Sequence, residues 1–265
     1  MKQVAIAVHG AAGRMGRRLV ALASADPELK LVAAIETSDH PEIGSDAGLL
    51  AGVGPLGVPL TSNLPDGVAV VIDFSVPEAT EVIARQCGER KVPLVAATTG
   101  LSNDQQQQIH DLARSVPVLS APNMSLAVNL VMRLSQMAAR ALADHTSSVD
   151  VEIIERHHRY KVDAPSGTAL AFGQIIAQEM GQQTSRHGRE GQVGVRPQDE
   201  IGYHAVRAGD HPGEHTILFG LLGESIELRV SATSRDAYAH GALAAAKFIA
   251  DQPAGRYSMF DVLGM

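Results

Sequence analysis

Short apolar runs alternate with helix-length segments through about the first 120 residues of the chain. The runs are rich in Val, Ile and Ala and are apolar at almost every position, which is typical of strands covered on both faces of a parallel sheet. In chain order they are VAIAVH, LVAAIE, VAVVIDF, VPLVAAT and VPVLSA. The pattern therefore predicts an α/β unit built on a doubly wound parallel sheet.

This alternation is interrupted once and later gives way to another pattern. Residues 44–66 hold five glycines and three prolines without helical periodicity, which predicts a loop with at most a short hairpin. After Pro122 a long helix is predicted for LAVNLVMRLSQMAARALA. A mixed or antiparallel sheet is predicted for VDVEIIER, YHAVRA, HTILFGLL and ESIELRVSA. The Ala-rich segment AHGALAAAKFIADQ then predicts a helix that returns to the first sheet.

The composition is that of an ordinary globular protein, with 45% hydrophobic and 19% charged residues. The net charge of −7 argues against a nucleic-acid partner, because binding to phosphates requires a basic surface. No apolar run reaches the length of a membrane helix, and the first residues lack the cleavage pattern of a signal peptide. The single cysteine, Cys87, is expected to be a buried apolar residue. Together these features predict a cytoplasmic protein without a membrane partner.

A glycine motif, GAAGRMG, connects the first predicted strand to the helix that follows. Gly10 permits a tight turn, Gly13 permits close approach to a pyrophosphate, and Gly16 permits packing of the helix on the strand. A flexible turn could show the same spacing. Glu36 ends the second predicted strand twenty residues after Gly16, where an acid can bind ribose hydroxyls. The combination predicts a Rossmann-type dinucleotide site with phosphates at the helix N-terminus.

Glu36 also bears on the choice between NADH and NADPH. Its carboxylate repels the 2′-phosphate of NADPH unless nearby cations offset the charge. Residues 31–84 contain no Lys or Arg, and the basic residues nearest the glycine motif are Arg14, Arg17 and Arg18. We therefore expect NADH to be preferred, with NADPH accepted through Arg14.

Two further strand ends carry small polar residues at the sheet edge where open α/β sheets bind ligands. They are AATTG, which contains Thr98 and Thr99, and APNMS, which contains Asn123. Their side chains could bind a nicotinamide or ribose group, or they could cap their own loops, as Thr and Asn often do. The residues alone leave both interpretations open.

The segment EIIERHHRYKVDAPSGTALAFGQII leads from a strand through a basic cluster into a helix with one apolar face. Ser166 is the predicted N-cap of this helix. The hydroxyls of Ser166 and Thr168, with the amides of Gly167 and Thr168, form a carboxylate site to which Lys161 adds a full charge. A helix cap that binds no ligand is the competing interpretation.

His157 and His158 precede this helix and are expected to point to opposite faces of their strand. They are therefore poorly placed to share a metal, and the chain has no H-E-x-x-H pattern or cysteine cluster, so no metal site is predicted. Either histidine would suit a proton donor near Lys161, because imidazole titrates near neutral pH. A solvated basic patch is the simpler explanation of RHHRYK taken alone.

Seven segments occur in one order between Val8 and Ile249: VHGAAGRMG, AATTG, APNMS, ERHHRYKVDAPSGTA, GREG, VRAGDHPGEHT and SRDAYAHGALAAAKFI. Together they resemble the dihydrodipicolinate reductase family, and HHRYKVDAPSGTA is the most specific of them. The resemblance implies an NADH- or NADPH-dependent oxidoreductase of lysine and diaminopimelate biosynthesis. Its substrate would be the small dicarboxylate 4-hydroxy-tetrahydrodipicolinate, and its product tetrahydrodipicolinate.

Carried over by position, the resemblance implies that His157 is the general acid and Lys161 the second catalytic residue. The residues that it implies for the substrate carboxylates are His158, Lys161, Ser166, Gly167 and Thr168. Those implied for the cofactor are Gly10, Ala11, Gly13, Arg14, Met15, Gly16, Glu36, Thr98, Thr99, Gly100, Pro122, Asn123, Met124, Arg235 and Tyr238.

The expected organisation is a Rossmann-type α/β domain that binds the dinucleotide, formed by residues 1–124 and 235–265. Residues 125–234 would form a smaller α+β domain with a mixed sheet for substrate binding and tetramerisation. The resemblance implies a homotetramer joined through this second sheet. HTILFGLL is expected to be an edge strand, which would be costly to leave exposed.

The chain departs from the common family pattern at three positions. Ala97 stands where Gly is usual, Met124 where Phe is usual, and Thr37 where many members carry a basic residue. The first two are packing changes, whereas Thr37 favours NADH over NADPH.

Two other functions fit parts of the pattern. A related two-domain reductase could act on a sugar or an amino-acid semialdehyde, but it would not need HHRYK joined to PSGTA. A semialdehyde reductase that forms a thioester would also need a nucleophilic cysteine, which Cys87 does not obviously provide. An NADH-sensing regulatory module would bind the cofactor without turnover, and the pairing of His157 with Lys161 argues against it.

Overall fold

The structure is a computed structural model that describes residues 3–265, apart from the side chains of residues 146–148. The chain divides into two compact units. Unit 1 comprises the residues up to Leu126 together with Asp236–Met265, and unit 2 comprises Ala127–Arg235. Arg235, which the sequence assigned to the first domain, thus lies at the end of unit 2.

The strands are β1 (Val4–His9), β2 (Leu29–Ile35), β3 (Leu60–Thr61), β4 (Val70–Asp73), β5 (Leu94–Ala96), β6 (Pro117–Ser120), β7 (Val149–His157), β8 (Thr184–His187), β9 (Glu200–Arg207), β10 (Gly213–Leu221), β11 (Glu224–Ala232) and β12 (Gly255–Tyr257). The helices are α1 (Arg14–Ala25), α2 (Ala47–Ala51), α3 (Pro77–Arg90), α4 (Asn103–Leu112), α5 (Leu126–Leu142), α6 (Gly167–Met180), α7 (Asp236–Ile249) and α8 (Met259–Val262), with a 3-10 helix at Ala143–Ser148. None of the helices within residues 3–265 combines the length and apolar character that a membrane crossing requires.

Unit 1 is built on a seven-stranded parallel sheet in the order β12-β6-β5-β4-β1-β2-β3. Alternate residues of its strands enter two separate hydrophobic clusters. One cluster includes α1 and α7, and the other includes α3 and α4, so both faces of the sheet are covered. The predicted doubly wound sheet and the return of α7 to it are confirmed. Cys87 is buried in the second cluster, and burial raises its pKa to about 12.

Residues 44–66 are more ordered than the sequence predicted. They contain α2 and the edge strand β3, which pairs in parallel with β2, and an antiparallel bridge joins Asp46 to Pro59. The predicted loop is therefore correct for most of the segment, but the prediction missed α2 and β3. Asp46 caps α2 through the amides of Gly48 and Leu49, and it also accepts hydrogen bonds from Leu56 and Gly57. Hydrogen bonds from four backbone amides to one half-buried carboxylate therefore order a segment that lacks any periodic apolar pattern.

Unit 2 is built on a five-stranded mixed sheet in the order β11-β10-β7-β9-β8. Strands β7, β8 and β9 run in parallel, whereas β10 is antiparallel to both of its neighbours. The mixed sheet is confirmed, but HTILFGLL is not an edge strand, because β10 lies between β11 and β7. Helix α6 packs against β7 and β9 through buried residues that include Ala169, Phe172 and Ile176.

Candidate active site

The glycine motif forms a tight loop between β1 and α1 of unit 1. Gly10 has a φ of +76°, and a Cβ added there would lie 2.6 Å from the carbonyl oxygen of Phe74. A Cβ on Gly16 would lie 2.1 Å from the carbonyl oxygen of Gly10, so both positions require glycine. Gly13 precedes α1 without a side-chain cap, which leaves the first amides of the helix for an external anion.

Glu36 follows β2 directly, and its carboxylate reaches the glycine loop. Oε2 accepts a hydrogen bond from the amide of Ala12 at 3.2 Å, and Oε1 accepts one from the amide of Thr37 at 3.2 Å. Three more residues of the predicted cofactor set belong to the glycine loop and the start of α1. Ala11 is buried in the loop, Arg14 is exposed and Met15 is half-buried in the first turn of the helix.

The other two arginines of α1 have partners within unit 1. Nε of Arg17 donates to the carbonyl oxygen of Ala12 at 2.8 Å. Arg18 forms a bidentate ion pair with Asp236 of α7 at 2.7 and 2.8 Å. Arg18 is therefore held in an ion pair within unit 1. Arg14, exposed at the start of α1, is the better candidate to bind a phosphate.

Buried polar side chains meet at the carboxyl ends of β1, β4 and β5. Oδ1 of Asp73 accepts hydrogen bonds from Nδ1 of His9 at 2.7 Å and from Ser75 at 2.6 Å. Oδ2 accepts from the hydroxyls of Thr80 at 2.6 Å and Thr98 at 2.9 Å. Burial raises the pKa of Asp73, but these hydrogen bonds, led by that of His9, outweigh it and lower the pKa. The Thr98 hydroxyl thus binds Asp73 and the Ser75 amide at this sheet edge, and its role toward nicotinamide or ribose stays a prediction.

The rest of the predicted cofactor set occupies scattered positions. Thr99, Gly100 and Pro122 are exposed, and Asn123 and Tyr238 are half-buried, all in unit 1, whereas Arg235 is exposed at the end of unit 2. Met124 differs from these, because its side chain is buried in the hydrophobic cluster beside α7. A Cβ on Gly241 of α7 would lie 1.7 Å from the Met124 carbonyl oxygen, so the helix packs directly on this turn. The Met124 side chain therefore packs in the core of unit 1, and its predicted contact with the cofactor stays a prediction.

In unit 2, His157 ends β7 beside Glu155, which precedes it by two residues on the same face of the strand. Nδ1 of His157 lies 2.5 Å from Oε2 of Glu155, and the two residues are 7% and 1% exposed. Burial lowers the pKa of His157, and the Glu155 carboxylate offsets only part of this effect. His158 follows outside the strand, and its buried Nδ1 has no hydrogen-bond partner within the described part of the chain.

Arg207 closes the other side of the Glu155 carboxylate. Its guanidinium donates to Oε2 at 2.8 Å and to Oε1 at 2.7 Å, and it also donates to the carbonyl oxygen of Asp163 at 2.6 Å. Lys161, in the same loop as Asp163, forms an ion pair with the Asp163 carboxylate at 2.8 Å. The predicted second catalytic residue thus lies in a loop that Arg207 ties to the end of β7.

Ser166 is the N-cap of α6, as the sequence predicted, and it is buried. Its Oγ accepts a hydrogen bond from the amide of Ala169 at 3.2 Å and lies 3.1 Å from Nε2 of His215 on β10. Burial is the main cause that lowers the pKa of His215 to about 4, so this ring is neutral at physiological pH. Gly167 is exposed and Thr168 half-buried in the first turn of α6.

Glu155, Arg207 and His215 were not identified from the sequence. The period of two along β7 could have paired Glu155 with His157. Arg207 and His215 lie opposite His157 and Glu155 only because of the register of β9 and β10. Within residues 3–265, no three His, Cys, Asp or Glu side chains converge as a metal-ion cluster.

Comparisons with known proteins cover both units. Residues 4–124 match the family model described as "Dihydrodipicolinate reductase, N-terminus", and residues 127–263 match "Dihydrodipicolinate reductase, C-terminus". The chain belongs to the dihydrodipicolinate reductase family. It is 55% identical to the 4-hydroxy-tetrahydrodipicolinate reductase of Rhodopirellula baltica over 99% of this chain and 96% of that protein. The reductase of the same name from Halorhodospira halophila is 46% identical, with 98% of each chain covered.

A solved structure of this family has the same fold. It is the dipicolinate-bound dihydrodipicolinate reductase from Paenisporosarcina sp. TG-14, with 26% identity, 97% of each chain covered and a TM-score of 0.77. Membership in the dihydrodipicolinate reductase family makes the chain an oxidoreductase with a Rossmann-type domain and a second, mixed-sheet unit.

Proposed function

We propose that this chain reduces 4-hydroxy-tetrahydrodipicolinate to tetrahydrodipicolinate with a reduced nicotinamide nucleotide, as a step of lysine and diaminopimelate biosynthesis. Substrate, reduced cofactor and one proton give product, oxidised cofactor and one water. The observation that carries the proposal is the site at the end of β7 in unit 2. There a buried histidine, a lysine and the start of a helix lie within one stretch of chain, and relatives of the family act on such a dicarboxylate.

The residues of unit 2 divide the chemistry between proton transfer and charge stabilisation. When bound, the nicotinamide would supply a hydride to the conjugated C=C–C=N system that the substrate presents after loss of water. His157 acts as the general acid, and Lys161 stabilises the negative charge that develops near the ring nitrogen. Burial favours the neutral form of His157, so the negative charge of a bound dicarboxylate would raise its pKa and load it with a proton when substrate is present.

The two substrate carboxylates would be held by His158, Lys161 and the start of α6. The orphaned Nδ1 of His158 would gain a hydrogen-bond partner from a carboxylate. Gly167 and Thr168 contribute amides at the positive end of α6, and the Thr168 hydroxyl adds a donor. Ser166 contributes through its place as the cap.

The glycine loop of unit 1 fits a dinucleotide, because Gly10 and Gly16 allow a tight turn into α1, and Gly13 precedes that helix without a side-chain cap. Gly13, Ala11, Arg14 and Met15 would surround the pyrophosphate, and Glu36 would bind the adenosine ribose. We propose that NADH is preferred, because Thr37 adds no cation to offset the Glu36 charge and Arg18 is engaged by Asp236. NADPH would be accepted through Arg14.

Unit 1 is proposed as the dinucleotide-binding domain and unit 2 as the domain for substrate binding and for assembly into a homotetramer. Support for the tetramer comes from apolar side chains exposed on the unit 2 sheet, including Ile154, Val206 and Ile226, each about 40% exposed. The expected compartment is the cytoplasm, where the precursors of the substrate are made.

The experiment that tests the function follows oxidation of NADH while a synthase makes the substrate in situ from pyruvate and aspartate semialdehyde. We expect rapid oxidation by the wild-type protein and losses of kcat of roughly 10² or more in His157→Gln and Lys161→Ala. NADH affinity should survive in both variants. No oxidation with either NADH or NADPH would refute the proposal.

Two matched variants control for the loss of a histidine or lysine elsewhere. His187 is exposed at the end of β8 and Lys30 is exposed on β2, both away from the residues proposed here. His187→Gln and Lys30→Ala should retain wild-type kcat. A comparable loss in either control would mean that the effects at His157 and Lys161 are not specific to the site.

A further inference from the structure

Glu155, near the end of β7, contacts several groups of the site, but the proposed reaction gives it no role. Its carboxylate contacts Nδ1 of His157 at 2.5 Å, the amide of Ser166 at 3.1 Å and the guanidinium of Arg207 at 2.7 and 2.8 Å. Arg207 in turn holds the carbonyl oxygen of Asp163. One buried carboxylate is therefore connected to the proposed acid, to the start of α6 and to the loop that carries Lys161.

The register of the sheet brings these groups together. His215 of β10 lies opposite Glu155, and Arg207 of β9 lies opposite His157, on the face that packs against α6. The His157 and His215 rings meet edge to face with centroids 5.3 Å apart. His215 of β10 thus contacts the His157 ring, Glu155 binds one of its nitrogens, and Arg207 of β9 binds Glu155.

The ionisation of Glu155 decides where the proton of His157 resides. Burial raises the pKa of Glu155, but hydrogen bonds led by that of Arg207 outweigh it and lower the pKa, so the carboxylate is ionised at neutral pH. An ionised carboxylate only accepts hydrogen bonds. Nδ1 of His157 must therefore carry a hydrogen to donate to Glu155. Nε2 is the nitrogen that can exchange a proton with another group.

We propose that Glu155 is a positioning residue that keeps the proton of neutral His157 on Nδ1, presents Nε2 to the substrate and holds the start of α6 in the same network. The inference rests on the general-acid role proposed for His157. It identifies which imidazole nitrogen transfers the proton.

Replacing Glu155 by Gln makes this role measurable, because an amide has only one acceptor oxygen. The side-chain nitrogen that Glu155→Gln introduces is itself a donor, so it is unfavourable beside other donors. Facing Ser166, it would oppose two donors, the Ser166 backbone amide and Arg207. Facing His157, it would oppose only Arg207, provided that Nδ1 of His157 accepts its hydrogen bond. The second orientation leaves fewer donors opposed, so in Glu155→Gln the proton of His157 should move to Nε2.

The charges around His157 give the expected direction of the pH profile. The groups that act on it are Glu155 on its own strand, Lys161 and Asp163 in the following loop, Arg207 on β9 and His215 on β10. Removal of the Glu155 charge leaves Arg207 and Lys161 to oppose the imidazolium. The basic limb of the kcat/KM profile should therefore move to lower pH in Glu155→Gln.

The decisive experiment is solid-state 15N NMR of the full-length protein labelled on histidine, with His157→Gln used to assign the His157 signals. We expect neutral His157 to be protonated on Nδ1 in the wild type and in Glu155→Asp, which keeps a carboxylate, and on Nε2 in Glu155→Gln. Activity should fall roughly 10²-fold in kcat for Glu155→Gln, with KM for NADH unchanged.

Glu214 provides the matched control, since it is also buried and forms hydrogen bonds with two arginines, Arg156 and Arg229. It precedes His215 by one residue on β10, so its side chain lies on the opposite face of the sheet. Glu214→Gln should keep the wild-type His157 signals. Wild-type His157 protonated on Nε2, or unchanged signals in Glu155→Gln, would overturn the inference, and the wild-type spectrum decides it if Glu155→Gln does not fold. Failure to turn over the imine would refute the proposed function instead, because the spectra do not depend on turnover.

Discussion

The hydrogen bond between Ser166 and His215 gives a stability prediction that can be worked from the structure. Ser166→Ala removes the cap of α6, because Oγ no longer accepts from the Ala169 amide, which costs about 1 kcal/mol. It also leaves Nε2 of the buried, neutral His215 without its partner, which costs about 1–3 kcal/mol. The free energy of unfolding should therefore fall by roughly 2–4 kcal/mol.

Urea denaturation followed by circular dichroism measures this loss. Ser102 offers the matched control, because it also caps a helix, α4, by accepting from the amide of Gln105, but at an exposed site without a buried partner. Ser102→Ala should cost only about 1 kcal/mol. The difference between the two variants isolates the contribution of His215.

A double-mutant cycle with His215→Phe separates the pair from its surroundings. Phe keeps an aromatic ring beside Phe172, whose centroid lies 5.9 Å from that of His215, but it removes the ring nitrogens. We expect a coupling energy of about 1–2 kcal/mol between Ser166 and His215. Additive effects within about 0.5 kcal/mol would refute the reasoning, because they would mean that the two side chains do not stabilise one another.

Three further predictions concern the cofactor and acid stability. Gly16→Ala should weaken NADH binding at least tenfold in a fluorescence titration, because its Cβ would lie 2.1 Å from the carbonyl oxygen of Gly10. Gly255→Ala is the control and should leave the affinity unchanged, because the nearest atom to its Cβ would be 3.5 Å away. Equal NADH affinities of the two variants would contradict this prediction. Glu36→Gln should raise the ratio of kcat/KM for NADPH over NADH roughly tenfold, since a charge that repels phosphate is removed, and an unchanged ratio would speak against the ribose role. Burial raises the pKa of Glu152, but hydrogen bonds led by that of Arg189 outweigh it and lower the pKa to about 2. The ionised Glu152 therefore contributes at most about 3 kcal/mol to the free energy of unfolding, and this contribution is present above pH 4.5 and lost as the pH falls towards 2. Urea midpoints between pH 7 and 3 should therefore fall less steeply in Glu152→Gln than in the wild type.

The sequence predicted the elements that are long and buried. The apolar runs of β1, β2, β4 and β5 are continuous because both faces of that sheet are covered, and the returning helix α7 is rich in buried alanine. The strands that it missed, β3, β8 and β12, are two to four residues long, and every residue of β8 is exposed. Such strands form because a sheet edge offers backbone partners, which leaves no periodic signal in the chain.

The site shows the same division between local and long-range information. The cap at Ser166 and the place of His157 follow from neighbours in sequence, and the structure has both where the local pattern indicated. The network around Glu155 depends on Arg207 and His215, which are 52 and 49 residues from Glu155 and Ser166 respectively. Only strand register brings them there, and register cannot be read from one sequence without knowing which strands pair.

The distribution of charge at this site shows how a chain with a net charge of −7 could hold the anionic substrate proposed for it. Arg207 is neutralised by a carboxylate that is 1% exposed, in a bidentate pair that a ligand cannot readily displace. Lys161 is paired instead with Asp163, whose side chain is 53% exposed, and such exposed pairs contribute only about 0–1 kcal/mol. Under the proposed function, a substrate carboxylate would replace Asp163 at little cost, whereas Arg207 would stay with Glu155. Anion binding at the end of β7 would then depend on Lys161 and the start of α6, and it would not require an excess of positive charge in the protein as a whole.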